Sequence, residues 1–133
     1  MSDLVLPRAP EENPESAPFW AAAGEGRLLI GHCGACSSAH FYPRHHCPAC
    51  GEGEVEWRAA AGTGEIYTFV NVARGPAGPF TMAYVTLDEG VSMITHIVAA
   101  NPAALAIGQR VTLRFAPSDG GAPYPVFAPT GEE

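Results

Sequence analysis

Cys33-Gly-Ala-Cys36, ten residues, then Cys47-Pro-Ala-Cys50-Gly51 is the stretch that decides how this chain folds. All four cysteines lie in it, as two Cys-x-x-Cys pairs with none left over. A tetrahedral Zn²⁺ takes four thiolates at about 2.3 Å, and one Cys-x-x-Cys turn presents two of them on a tight loop. Two such turns facing each other complete the shell. Gly34 in the first turn, and Pro48 and Gly51 in the second, suit the chain reversals this requires.

Two disulfides, or four unrelated buried thiols, are the alternatives. Disulfides belong to secreted chains, and the opening M-S-D-L-V-L-P-R-A-P-E-E lacks the apolar run of a signal peptide. The expectation is therefore a cytoplasmic protein with one structural Zn²⁺ on Cys33, Cys36, Cys47 and Cys50. Four thiolates leave no open position for a reacting water, so the site is closed. Iron fits the same donor set. His32, His40, His45 and His46 crowd the motif but are surplus to it; His46, beside Cys47, is the one placed to hydrogen-bond near the cluster.

Working outward, Arg27–Gly31 reads as a strand leading into the first turn, and Ala39–Tyr42 as its return, stopped by Pro43. Residues 24–53 are then a rubredoxin-like zinc ribbon, too small for a core of its own and dependent on the metal. Before it, residues 1–23 form an arm and a helix. Asn13 as N-cap, Pro14 at the first position and Glu15 near the positive end predict a helix over 14–23, although Pro18 weakens it. Phe19 and Trp20 share a side of that helix. They dock either on the body of the protein or on a partner subunit; in the second case Trp20→Ala leaves the isolated fold nearly unchanged.

Residues 54–129 change character to closely spaced strands. Val55–Trp57 alternates, Gly62-Thr63-Gly64 reads as a turn, and Ile66–Val72 is rich in β-branched and aromatic residues. A loop, Arg74–Phe80, precedes a hairpin of Met82–Leu87 and Val91–Val98 around Asp88-Glu89-Gly90. Residues 99–106 form a helical turn or an irregular link. Val111–Phe115 follows, and Tyr124–Phe127, flanked by Pro123, Pro125 and Pro129, reads as an edge strand. Five strands with the long link after the third predict a mainly β chain ending in a five-stranded OB-type barrel, with a generic sandwich as competitor. Residues 130–133 are a tail.

Composition narrows the function. The 133 residues are 47% hydrophobic, enough for one core, and carry a formal charge of -7 with seven Arg and no Lys. Such a chain is a poor match for a phosphate backbone, which needs clustered cations. No apolar run is long enough to cross a bilayer.

F-W-A-A-A-G-E-G-R-L-L-I-G-H-C-G-A-C, H-F-Y-P-R-H-H-C-P-A-C-G, G-T-G-E-I-Y-T-F, V-T-L-D-E-G-V and I-G-Q-R-V together resemble the acyl-CoA-associated zinc-ribbon/OB-fold proteins, long catalogued as a domain of unknown function. The resemblance spans residues 16–128. It implies an accessory subunit of thiolase-superfamily enzymes, among them lipid-transfer-protein-like aldolases of steroid side-chain degradation, acyltransferases and synthases; other members accompany double-hotdog hydratases. The four cysteines match the family's metal ligands, the catalytic residues belong to the partner, and the family is associated with CoA esters through its OB domain.

Searched for chemistry of its own, the sequence offers no Gly-rich phosphate loop, nucleophile elbow or Ser-His-Asp spacing. Asp88 and Glu89 read as a solvated turn, and His96 as a structural histidine. Tyr67, Phe69 and Tyr84 either stack on an adenine or fill the barrel. Arg74 and Phe80 are the candidate ligand residues, a cation for a CoA phosphate and a wall for an acyl chain; the alternative is a stiffened loop with a solvent-facing Arg. Phe19, Trp20, Tyr124, Val126 and Phe127 are candidate interface residues. Three functions stay open: a non-catalytic enzyme subunit, a free-standing acyl-CoA-binding module, and, against the charge, a nucleic-acid binder.

Overall fold

The computed structural model describes residues 9–11, 14, 16–41, 44, 46–51, 55–75 and 78–131. Its single α-helix among them, α1, spans Ala17–Gly24. The helix thus starts later than the Pro14 expected from sequence; the Asn13 cap and Glu15 lie outside the described residues. Ser16 takes the N-cap position, which puts Pro18 in the first turn, where its missing N–H leaves no helical bond unmade. At the other end Gly26, at φ 80, and Arg27 donate back to Ala23 and Ala22 carbonyls, a left-handed stop that glycine adopts without strain.

The ribbon is a three-stranded antiparallel sheet, β2-β1-β3, with β1 Leu29–Cys33, β2 Ala39–His40 and β3 Val55–Ala59. β1 runs centrally, paired with β2 at Gly31–His40 and with β3 from Leu29–Ala59 to Cys33–Val55. Residues 55–59, of which Val55–Trp57 was read as the start of the OB domain, hydrogen-bond instead into the ribbon's sheet. Their pairing satisfies the backbone of a strand whose Leu29, Ile30 and Cys33 are buried.

The second sheet holds β4 Thr63–Val72, β5 Phe80–Leu87, β6 Ser92–His96, β7 Arg110–Ala116 and β8 Tyr124–Pro129, in the order β6-β5-β4-β7-β8. The two ends of this curled sheet meet where Ile97 bridges Phe127 in parallel and Val98 donates to the Phe127 carbonyl at 2.8 Å. That order, closed between its third and fifth strands, is the OB-type barrel. The link after β6 contains one short 3₁₀ turn, Pro102–Ala104.

Thr63 and Gly64 are the first residues of β4 rather than a turn. A Cβ at Gly64 would lie 2.5 Å from the Thr86 carbonyl oxygen, so the close approach of β4 to β5 requires glycine. A bulge at Tyr67 shifts the register between Ile66 and Thr68 and lets the long strand curl. β8 is the proline-bearing terminal strand, yet Val126, Phe127 and Ala128 are buried because it closes the barrel against the segment after β6.

One core serves both modules. Phe19, Leu28 and Ile30 from the helix and ribbon belong to the same buried cluster as Ile66, Val85, Leu87, Val111 and Phe127 of the barrel. No helix among the described residues is long and apolar enough to cross a membrane.

Candidate functional site

The Cys-x-x-Cys turns fold as two equivalent knuckles. In the first, Cys33 Sγ accepts from the backbone N–H of Ala35 at 3.3 Å and Cys36 at 3.4 Å; in the second, Cys47 Sγ accepts from Ala49 at 3.3 Å and Cys50 at 3.5 Å. Each closes with an N–H to the carbonyl of its first cysteine, Ser37 to Cys33 and Gly51 to Cys47. Gly51 takes the left-handed φ of 77 freely, whereas Ser37 takes φ 63 with a side chain.

Facing each other, the knuckles bring all four sulfurs within 4.8 Å of one another. Cys33–Cys50 is 3.7 Å and Cys36–Cys47 is 3.6 Å. A tetrahedron with metal–sulfur bonds of about 2.3 Å has edges of about 3.8 Å, whereas a disulfide needs about 2.05 Å. The donor set and its spacing fit a structural Zn²⁺. Hydrogen bonds from the Ser38 hydroxyl and backbone push the Cys36 thiol down to about 6, while at Cys33 the Cys36 N–H favours the thiolate but burial and the Cys36 and Cys47 thiols outweigh it. A cation among them takes all four as thiolates.

The histidines divide. His46 is exposed, and the backbone amides bond the Cys33 and Cys47 sulfurs; His45 lies outside the described residues. His40 is buried with both ring nitrogens unpartnered, its ring lying over Gly31, where any side chain would collide with it. Burial, and then the charge of Arg44, lower its pKa, so it stays neutral and serves as a flat spacer between β1 and β2.

The adjacent carboxylates Asp88 and Glu89 are tied down rather than merely solvated. Arg110 donates to both oxygens of Asp88 at 3.0 and 2.9 Å, the Thr63 hydroxyl donates to it as well, and the Ala61 N–H reaches Glu89 at 2.8 Å. The turn thereby pins the link from the ribbon, the start of β4 and β7 together. Arg110's hydrogen bond, then Thr63's, hold the Asp88 carboxyl below its ordinary value.

A groove of about 570 Å³ lies outside the barrel, between α1 and the outward face of β5 and β6. Phe19 and Trp20 form one wall with Phe41, Met82, Tyr84 and Ile94 lie on the strands, and His96 and Tyr124 close one end. Phe19 packs edge-on against Trp20 at 4.8 Å and Phe41 at 5.5 Å; His96 sits 5.3 Å from Phe80 and 6.4 Å from Tyr124. Tyr84 and Tyr67 are exposed instead of filling the barrel.

Of the aromatic residues expected at an interface, Phe19 and Phe127 are 1% and 0% exposed, so within this chain they are core. Trp20 is buried at the rim of the groove, and only Tyr124, half-buried, offers much of its ring. Docking on the chain's own body accounts for the Phe19-Trp20 pair. Phe80 begins β5 with its ring against Gly75, while Arg74 is exposed on the preceding loop; neither lines the groove. Met82, Ile94 and Phe41 were not singled out from sequence. The available signal was β5 itself, F-T-M-A-Y-V-T-L, apolar on both faces where a half-exposed antiparallel strand alternates.

A zinc ribbon and an OB-type barrel sharing one core define the class. Residues 20–56 match the rubredoxin-like zinc ribbon domain of ChsH2, and residues 57–116 match the ChsH2 C-terminal OB-fold domain. The chain belongs to the ChsH2-type DUF35 family. A probable enoyl-CoA hydratase alpha subunit of Thermomonospora curvata is 34% identical over 124 residues, 90% of this chain, which spans only 39% of that protein's length. A DUF35 domain-containing scaffold protein of Methanocaldococcus jannaschii is 31% identical over 72% of this chain and 73% of its own. Among solved structures, a chain of an Ltp2-ChsH2(DUF35) aldolase superposes with a TM-score of 0.80 at 33% identity, over 90% of this chain and 98% of that one. A DUF35 protein of unknown function from Sulfolobus solfataricus, at 11% identity and a TM-score of 0.60, shares the fold.

Proposed function

We propose that this chain is a non-catalytic zinc-ribbon/OB-fold subunit of a cytoplasmic enzyme complex acting on CoA thioesters. Its partner is a thiolase-superfamily protein of the lipid-transfer type, an aldolase or acyltransferase, and steroid side-chain degradation is the setting the resemblance favours. The observation that carries this is the near end-to-end match to a chain of an aldolase whose description joins two components. The scaffold names of related DUF35 proteins agree with it. Arg74, exposed beside the first long barrel loop, is the cation assigned to a CoA phosphate, and Phe80 borders the acyl side.

Co-expression with a candidate thiolase-like partner from the same organism tests the proposal. The two should elute together, and the partner should lose activity or solubility when made alone. If they elute separately and the partner is equally soluble and active by itself, the subunit reading fails and a free-standing acyl-CoA-binding module replaces it.

A further inference from the structure

We propose that the groove between α1 and the outward face of β5 and β6 is where this chain docks its enzyme partner, and that the partner inserts an uncharged aliphatic or aromatic segment there. The inference rests on the subunit reading and names the surface it uses.

Strand register builds the surface. Tyr84 stands beside Thr68 of β4 and Ile94 of β6, and Met82 beside Val70 and His96. These two rows continue the groove's floor onto β4, where a smaller depression lies over Val70, Met82 and Ile94. Val70, Tyr84 and Ile94 remain 54%, 47% and 53% exposed. Three large apolar residues half open on adjacent strands form a contiguous patch of the kind that marks an interaction site.

Charge selects the occupant. No outward position of β5 or β6 is Asp, Glu, Arg or Lys: the residues are Phe80, Met82, Tyr84, Thr86, Ser92, Ile94 and His96. The charged pairs among the described residues lie outside the groove's lining: Glu25–Arg27 just after α1, Glu56–Arg58 on β3 and Asp88–Arg110 across the barrel's turn. A CoA nucleotide would bring phosphates to a groove with no Lys or Arg among its described lining residues, and a charged protein segment would be desolvated there without compensation. An uncharged protein segment fits, and Tyr, Met and Phe are the residues enriched at the centres of such contacts. The wall facing this floor is prebuilt, since Phe19 and Trp20 are held by the core, which lowers the ordering cost of binding.

The test uses the full chain co-expressed with the candidate thiolase-like partner, in wild type, Ile94→Glu, Tyr84→Glu and, as control, Ile107→Glu. Ile107 is 71% exposed on the link before β7, away from the groove. Zinc content and melting temperature of the isolated variants verify folding. Wild type and the control should bind alike, while each groove variant should lose at least tenfold in affinity. If wild type forms no complex, the subunit reading itself falls. If wild type binds and the folded groove variants bind equally well, only the docking surface is wrong. Lauric acid titrated into the isolated chain supplies the other arm: saturable binding that Ile94→Glu abolishes, with complex formation untouched, would reassign the groove to a small apolar ligand.

Discussion

The metal knuckles and the apolar groove are built on opposite scales. The knuckles use residues three apart, and each half of the site is complete within a single turn whose backbone amides already point at sulfur. Only the facing of the two halves is long-range. The groove draws its wall from the N-terminal helix, its floor from two barrel strands and its end from the last strand, so it exists only when ribbon and barrel share one core. One site can be lost by removing one atom; the other is spread over many contacts and yields gradually. The difference explains why one was obvious as chemistry and the other was invisible as a shape.

The most severe way to break this contrast is Cys47→Ala. Structural zinc supplies on the order of 10 kcal/mol of apparent folding free energy, so the variant should lose its metal and the ribbon's fold. Metal analysis and circular dichroism read the outcome, and retention of one zinc per chain would contradict it. Because Phe19, Leu28 and Ile30 share the barrel's core, the barrel should be destabilised too.

Trp20→Ala comes next. As a buried ring on the groove's wall it should cost the isolated chain about 3–5 kcal/mol, measured by denaturant unfolding, with zinc content retained. An unchanged midpoint would return Trp20 to the status of a free anchor. Gly64→Ala probes the barrel without touching either site: a Cβ there meets the Thr86 carbonyl, and about 1–3 kcal/mol should be lost to strand displacement.

Within the metal site the two knuckles differ at two positions, Gly34 against Pro48 and Ser37 against Gly51, and Ser37→Gly sharpens the second. Relieving the left-handed strain at Ser37 should raise stability by about 1 kcal/mol, with zinc affinity unchanged or higher; a loss would show that the Ser37 side chain is needed. The smallest effect is in acid. The Asp88 carboxyl is held below its ordinary 3.8 by Arg110 and Thr63, so its folded pKa is depressed. Its contribution is then present above that ordinary value and lost as pH falls through the depressed one. Wild type should lose slightly more melting temperature than Asp88→Asn between pH 5 and acid, and parallel curves would remove the clamp from the account.

The ribbon, the metal ligands, the five barrel strands and the turn at Asp88–Gly90 were all legible in the chain. Each is written in short-range chemistry: thiolates at fixed spacing, β-branched alternation, glycine at a reversal. Helix boundaries and strand membership were less so. Pro14 and Pro18 both suit a first turn, and only packing of Phe19 and Trp20 decided for the later start. Val55–Ala59 carries a strand pattern that either sheet could use, and it joined the ribbon because β1 needed a second partner.

By itself, then, the sequence determined the metal site, the fold class, the acidic and lysine-free surface, and the family. These depend on residue type and spacing, which a linear chain displays in full. Tertiary structure decided which apolar residues are core and which are surface. Phe19 and Tyr84 are both aromatic residues in apolar stretches, yet one is sealed at the junction of two modules and the other faces outward across a groove. Burial is settled by what lies opposite a side chain, and what lies opposite is supplied by residues distant in the sequence.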